Sequence, residues 1–219
     1  MHQKASRPRQ DHSPADVRWH VQTRRAKKED TYQLIVEVAE RLFREIGPQK
    51  TTIADIAREI GMSPAYVYRF LAAKSEIKEA VCLNLLGKIE TEAEKIAASR
   101  DTATQKLRNL IGTVESIHFK QYVRDRKLYD LIEASTTEKW QSERRHSERM
   151  TEILEQIIAS GMASGEFPAG DTALAAHLVN TACIRFRDPR LIVEHEQEPE
   201  PTLDQMISFC LTAIGKQPV

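Results

Sequence analysis

Residues 61–77 read "GMSPAYVYRFLAAKSEI", and both the fold and the function turn on how this stretch is read. Gly61 can take the left-handed conformation that stops a helix. Ser63-Pro64 then restarts one, with a hydroxyl that accepts from first-turn amides and a ring whose fixed φ suits the first helical position. Upstream, Thr52 is placed to cap a preceding helix and Asp55 to complement its dipole, with Ile53, Ile56, Ala57 and Ile60 facing one way. Two short helices around a Gly-containing turn make the helix-turn-helix arrangement.

In the second of these helices, expected over residues 64–71, Val67, Phe70 and Leu71 share a face that can pack on Ile53, Ile56 and Ile60. Ala65, Tyr66, Tyr68 and Arg69 then point outward or sideways. One reading lays a tyrosine ring, most readily that of Tyr68, over the edge of the small core. The other uses every outward residue: a major groove about 12 Å wide admits one helix, and Ser63, Pro64 and Ala65 are small enough to let its N-terminus approach base edges. Tyrosine hydroxyls, first-turn N–H groups and Lys74 would then hold phosphates.

The rest of the chain is patterned for helices. From Tyr32, Ile35, Ala39, Leu42 and Ile46 recur at helical spacing beside Val36 and Phe43, and Gly47-Pro48 ends a helix of about four turns. Beyond Lys74, helices are expected at 75–98, 102–121, 125–136 and 139–164, then from an Asp171 cap to Ile184 and from a Thr202 cap to Ile214. No segment alternates with period two between hairpin turns, so the chain is expected to be all-helical. The acidic "VEHEQEPEPT" at 193–202 is expected to be a solvated loop.

Composition narrows the function classes. With 219 residues and 41% apolar content, the chain can build a full core without staples. Its three cysteines, Cys82, Cys183 and Cys210, are far apart and sit in apolar helical patterns, which points to reduced thiols used as core residues and to a cytoplasmic protein. No apolar run approaches the roughly 20 residues of a membrane span, so no membrane partner is expected. Lys and Arg total 32, as do Asp and Glu, but residues 1–30 carry eight basic against four acidic residues, a local excess of four. The "TRRAKK" at 23–28 is either a solvated tail or an arm that reaches a neighbouring groove. Neither an HExxH nor a CxxC motif, a phosphate-cradling glycine loop or a nucleophile elbow is present; no catalytic residue, metal or cofactor is expected.

The stretches "AERLFREIG" (39–47) and "TTIADIAREIGMSPAYVYRFL" (51–71), with Lys74 opening the next helix, resemble the DNA-binding domain of the tetracycline-repressor (TetR) family of bacterial transcription regulators. The resemblance implies a basic flexible tail (1–30), a three-helix helix-turn-helix DNA-binding domain (31–78) and a larger helical ligand-binding and dimerisation domain (79–219). It implies that Thr52, Tyr68 and Lys74 hold phosphates while Ser63, Pro64, Ala65, Tyr66 and Arg69 meet bases or nearby backbone. Two positions depart from the family pattern: Phe70 replaces a polar residue and so belongs with the core, and Ala73 replaces a serine that caps the following helix. The implied partners are a double-stranded operator, a second copy of the chain docked through its last two long helices, and an unnamed small molecule. His118, Phe119, Tyr122, Tyr129 and Trp140 are candidates to line its pocket. The rival from another class is a helical small-molecule binder or scaffold without DNA recognition.

Overall fold

The computed structural model describes residues 14–186, 188, 190–191 and 200–214, with side chains from residue 27 onward except that of Tyr122. It is all-helical: α1 (Pro14–Ile46), α2 (Ile53–Glu59), α3 (Pro64–Val67), α4 (Lys74–Ala97), α5 (Ala103–Arg124), α6 (Arg126–Thr137), α7 (Gln141–Ala163), α8 (Thr172–Ala182), a 3-10 turn at Ile184–Phe186, and α9 (Leu203–Ile214). An N-terminal three-helix helix-turn-helix unit precedes a larger helical part, as the patterning predicts. No helix among the described residues is long and apolar enough to cross a membrane.

The segment expected to be a tail is helical from Pro14, and α1 continues without a break into the predicted helix. No proline or glycine interrupts residues 15–46, so nothing stops propagation back to the Ser13-Pro14 start signal. Residues 1–13, and most of the acidic 193–202 stretch, lie outside the described residues.

The small unit is held by one apolar cluster. Ile35, Ala39 and Phe43 of α1, Ile56 and Ala57 of α2, and Val67 beyond the turn are all buried. Ile46 departs from the expected stripe and is 42% exposed. Thr52 closes a capping box, accepting from the Asp55 amide at 3.1 Å while the Asp55 carboxylate accepts from the Thr52 amide at 3.0 Å. Gly61, at φ +65°, makes the left-handed stop. The Met62 amide then bonds the Ala57 carbonyl at 2.9 Å, turning the chain toward α3.

Helix α4 is the shared element: it packs against α7, α5, α1 and α6. Its junction with α1 is polar and buried. The Glu40 carboxylate, 8% exposed, accepts from Lys88 at 2.9 Å, Asn84 at 2.8 Å and Arg44 at 3.1 Å. Burial opposes ionisation of Glu40, but the bonds from Lys88, Asn84 and Arg44 outweigh it and hold its carboxyl below the usual range. At the other end of the molecule, Gly161 of α7 lets the 164–170 turn close onto α5. A Cβ there would sit 2.3 Å from Phe167 Cδ2 and 2.7 Å from the Ala103 Cβ. Glu166 completes the closure by accepting from the Ala103 and Thr104 amides at 2.7 and 2.8 Å.

Two stability measurements check this packing. Gly161→Ala should lose about 1–3 kcal/mol by overpacking, whereas Gly87→Ala, with open space around its Cβ, should be neutral or gain up to about 1 kcal/mol of helix propensity; urea unfolding reads both. Because the folded pKa of Glu40 is depressed, its contribution is present above the ordinary glutamate range and lost as pH falls through the folded value. Glu40→Gln should therefore cost about 1–3 kcal/mol at neutral pH, and the gap to the parent should close as the solution is acidified.

Candidate nucleic-acid interface and effector cavity

Helix α3 is shorter than expected, four residues rather than eight. After Val67 the Arg69 and Phe70 amides bond carbonyls three residues back, at 3.1 and 2.9 Å, so the chain tightens into turns. Ser63 caps α3 by accepting from the Tyr66 amide at 3.2 Å, with Pro64 in the first helical position. Val67 and Leu71, 0% and 6% exposed, anchor the segment. Phe70 is half-buried against the core, as its departure from the family pattern suggested.

That anchoring fixes what faces out. Ser63, Pro64, Ala65 and Arg69 are exposed, and Tyr68 is 49% exposed rather than laid over the core. Tyr66 is half-buried: its ring meets Phe70 edge-on at 5.3 Å, and the Arg69 guanidinium lies over it at 5.4 Å. The sequence reading missed this stack, although the i, i+3 and i, i+4 spacings of Tyr66, Arg69 and Phe70 carry its signal. Thr52 is exposed, but its hydroxyl donates to Asp55 Oδ2 at 2.6 Å. Lys74 opens α4 without a side-chain cap at Ala73. The Glu76 carboxylate instead accepts from the Ala72 amide at 2.6 Å. The Lys74 ammonium donates to the Gln49 carbonyl at 2.7 Å, and burial, then the neighbouring Lys78, push it below the usual lysine range.

The four pocket candidates whose side chains are described do not converge. His118 lines a cavity of about 290 Å³ between α4, α5, α6 and α7, but Tyr129 is fully buried in the core, Phe119 is exposed at 41%, and Trp140 borders other voids. The Tyr122 side chain lies outside the described residues. Helical spacing within α5 and α6 does not show that Tyr129 points into the core while Phe119 faces out. The actual cavity has a floor of Leu86, Val114, Ile132 and Met150 and a charged side made by Lys139, Arg144 and Arg190 with Glu143 and Asp188. His146, 8% exposed, holds Glu90 at 2.9 Å from this wall. Arg190 grips Asp188 through Nε at 2.9 Å and Nη2 at 2.5 Å, which raises the guanidinium's affinity for its proton.

Helices α8 and α9 pack on the body through Ala176, Val179, Ile207 and Cys210 and leave a second apolar set outside: Leu174, Leu178 and Phe209 are 56%, 62% and 66% exposed. Ala176 faces the body, and Asn180 donates to Thr151 Oγ1 at 3.2 Å. Cys82, Cys183 and Cys210 are all buried, as their apolar helical patterns predict.

Comparison with known proteins agrees with this geometry. Residues 35–81 match the family model for bacterial regulatory proteins of the tetR family, and residues 103–205 match a tetracyclin repressor-like C-terminal domain. The fatty acid metabolism regulator protein of Bacillus subtilis (strain 168) is 24% identical over 161 residues, covering 70% of this chain and 79% of that protein. A transcriptional regulator from Cytophaga hutchinsonii superposes with a TM-score of 0.63 at 21% identity, over 84% of this chain and 98% of that one. The transcriptional regulator FadR from Bacillus subtilis, solved in complex with stearoyl-CoA, superposes with a TM-score of 0.56 at 20% identity, over 86% and 100% of the two chains. With an N-terminal reader unit and a C-terminal helical domain both matched to one family, the chain belongs to the tetR family of bacterial regulatory proteins.

Proposed function

We propose that this chain is a cytoplasmic transcription regulator that binds a palindromic operator as a homodimer, represses from it, and is released by a small molecule. The observation that carries this reading is the exposed surface of α3 and the turn that follows it, where Ser63, Pro64, Ala65, Tyr68 and Arg69 stand free of the core that Val67 and Leu71 anchor. In this reading Ser63, Pro64, Ala65, Tyr66 and Arg69 meet bases or adjacent backbone, and Thr52, Tyr68 and Lys74 hold phosphates. Thr52 and Lys74 reach a phosphate by exchanging their present acceptors, Asp55 and the Gln49 carbonyl, for a charged one. Residues 31–78 act as the DNA-binding domain and 79–219 as the ligand-binding and dimerisation domain, with the α1 residues ahead of 31 available as a basic arm.

The outward apolar faces of α8 and α9 support dimerisation, since singly scattered apolar residues are ordinary but two adjacent helices each with a bare apolar face mark a contact surface. Two readers fixed one helical turn apart, or a multiple of it, would match a two-fold operator. The 290 Å³ cavity supports the effector role. Its apolar floor and charged side suit a molecule with an apolar body and a polar end, and stearoyl-CoA in the FadR complex is of that type. An effector acts only through its different affinity for the two conformations.

DNA titration tests the reader. Protein mixed with DNA from upstream of its own gene, or selected from random sequence, should bind with an affinity that falls steeply with salt. Lys74→Ala should weaken every sequence and lower the log–log salt slope by about 1. Tyr68→Phe should cost about 1 kcal/mol without changing preference, whereas substitutions at Ala65 or Tyr66 should change the bases selected. Binding without sequence preference or salt dependence would contradict this and favour the helical small-molecule binder.

Sedimentation velocity tests the interface. The parent should run as a dimer of 25.0 kDa chains, and the Leu178→Glu, Phe209→Glu double variant as a monomer with operator affinity reduced by at least about tenfold, because the two half-sites no longer act together. A parent that stays monomeric at micromolar concentration would remove the homodimer from the account.

A further inference from the structure

We propose that the joint between the helix-turn-helix unit and the larger domain holds a second ligand site, separate from the effector cavity, that takes a small organic anion with an apolar body. A void of about 350 Å³ opens where the loop after α1 meets α4 and α6, and it shares no lining residue with the effector cavity. That volume lies at the lower end of the range for small-molecule pockets. Its apolar wall is formed by Ile46, Leu131, Ala134 and Trp140. Ile46, the residue that departs from the α1 core stripe, spends its 42% exposure on this void.

Charge sets the ligand class. Three lysines from three separate elements line the void: Lys50 from the loop, Lys78 from α4 and Lys127 from α6. Of the two carboxylates in the wall, Asp130 pairs with Arg126 at 2.9 Å, while Glu138 accepts from the neutral Trp140 Nε1 at 2.8 Å and keeps its charge, so the three lysines still leave the lining a positive excess. Among the described residues neither Lys50 nor Lys78 is bridged to an acid, and Lys127 donates to the main-chain carbonyl of Glu45 at 2.5 Å, which leaves its charge uncompensated. Cations gathered around a partly enclosed space repel one another. An anion relieves that repulsion, and an apolar body covers Ile46, Leu131 and the Trp140 ring. A metal ion or an organic cation has no place among three ammonium groups.

The location gives the site consequences. Gln49 is part of the wall, and its carbonyl holds Lys74; Lys127 holds the last turn of α1. A ligand here lies against Gln49, which ties the 47–50 loop to Lys74, and against Lys127, which ties the end of α1 to α6.

The test needs no DNA, so its failure is distinct from a failure of the operator reading. In a Trp19→Phe background, Trp140 is the single tryptophan, and 1-anilinonaphthalene-8-sulfonate serves as the anionic aromatic probe. Titration should give saturable energy transfer from Trp140 to the probe. Lys50→Glu with Lys78→Glu should weaken binding at least tenfold, while Lys95→Glu, a reversal on the exposed surface near the far end of α4, should leave it unchanged; circular dichroism verifies that helix content is retained in each. Absence of saturable transfer, or binding that survives the double reversal, or equal weakening by Lys95→Glu, would overturn the proposal.

Discussion

A helix of four residues has no stability of its own, because nucleation fixes several backbone dihedrals for a single hydrogen bond. Helix α3 exists because Val67 and Leu71 are driven into the apolar cluster that joins α1, α2 and the start of α4. Everything that Ser63 to Arg69 present to the outside follows from that burial. The cap from Ser63 and the fixed φ of Pro64 set where the helix begins, but they would not hold it against solvent without the anchor. Short length is useful here: the outward residues are carried at the end of a rigid unit and not along a flexible stem.

The same anchoring ties the reader to the rest of the molecule. Helix α4 begins three residues after Leu71 and runs on to pack against α5, α6 and α7, which also enclose the 290 Å³ cavity. Its polar junction with α1 through Glu40, Asn84 and Lys88 resists sliding, since separating the helices would strand a buried carboxylate. Arg44 with Asp125 at 3.2 Å, and Lys127 on the Glu45 carbonyl, fasten the end of α1 to the start of α6. The larger part is therefore joined to the small unit by four side-chain contacts on α1, in addition to the continuous α4 backbone.

The parts of this fold visible in sequence were those governed by local rules. Thr52, Gly61, Ser63-Pro64, Asp171 and Thr202 announced helix ends through capping and turn chemistry, and the structure places helix boundaries within a residue or two of them. Phe70 could be moved to the core on helical spacing together with its departure from the family pattern. Long-range pairing was not visible. Glu40 interrupts the apolar stripe between Val36 and Phe43, which is a sign that a partner exists, but only the folded chain shows that Asn84 and Lys88 supply it. The lining of the 290 Å³ cavity was not legible for the same reason. Which of His118, Phe119 and Tyr129 face a common space depends on the crossing of α5, α6 and α7, and helical periodicity within one element carries no information about that crossing. The length of α1 was also underestimated, because polar helix formers ahead of Tyr32 show no apolar period.

Amide hydrogen exchange with and without selected operator DNA tests the central claim most directly, because it reads the backbone at the proposed face and does not depend on any substitution. DNA should slow exchange at residues 52–54 and 63–69, with weaker or no change across the exposed sides of α5 to α7. Protection that is absent from 63–69, or that falls mainly on the larger domain, would show that α3 is not the element that meets DNA.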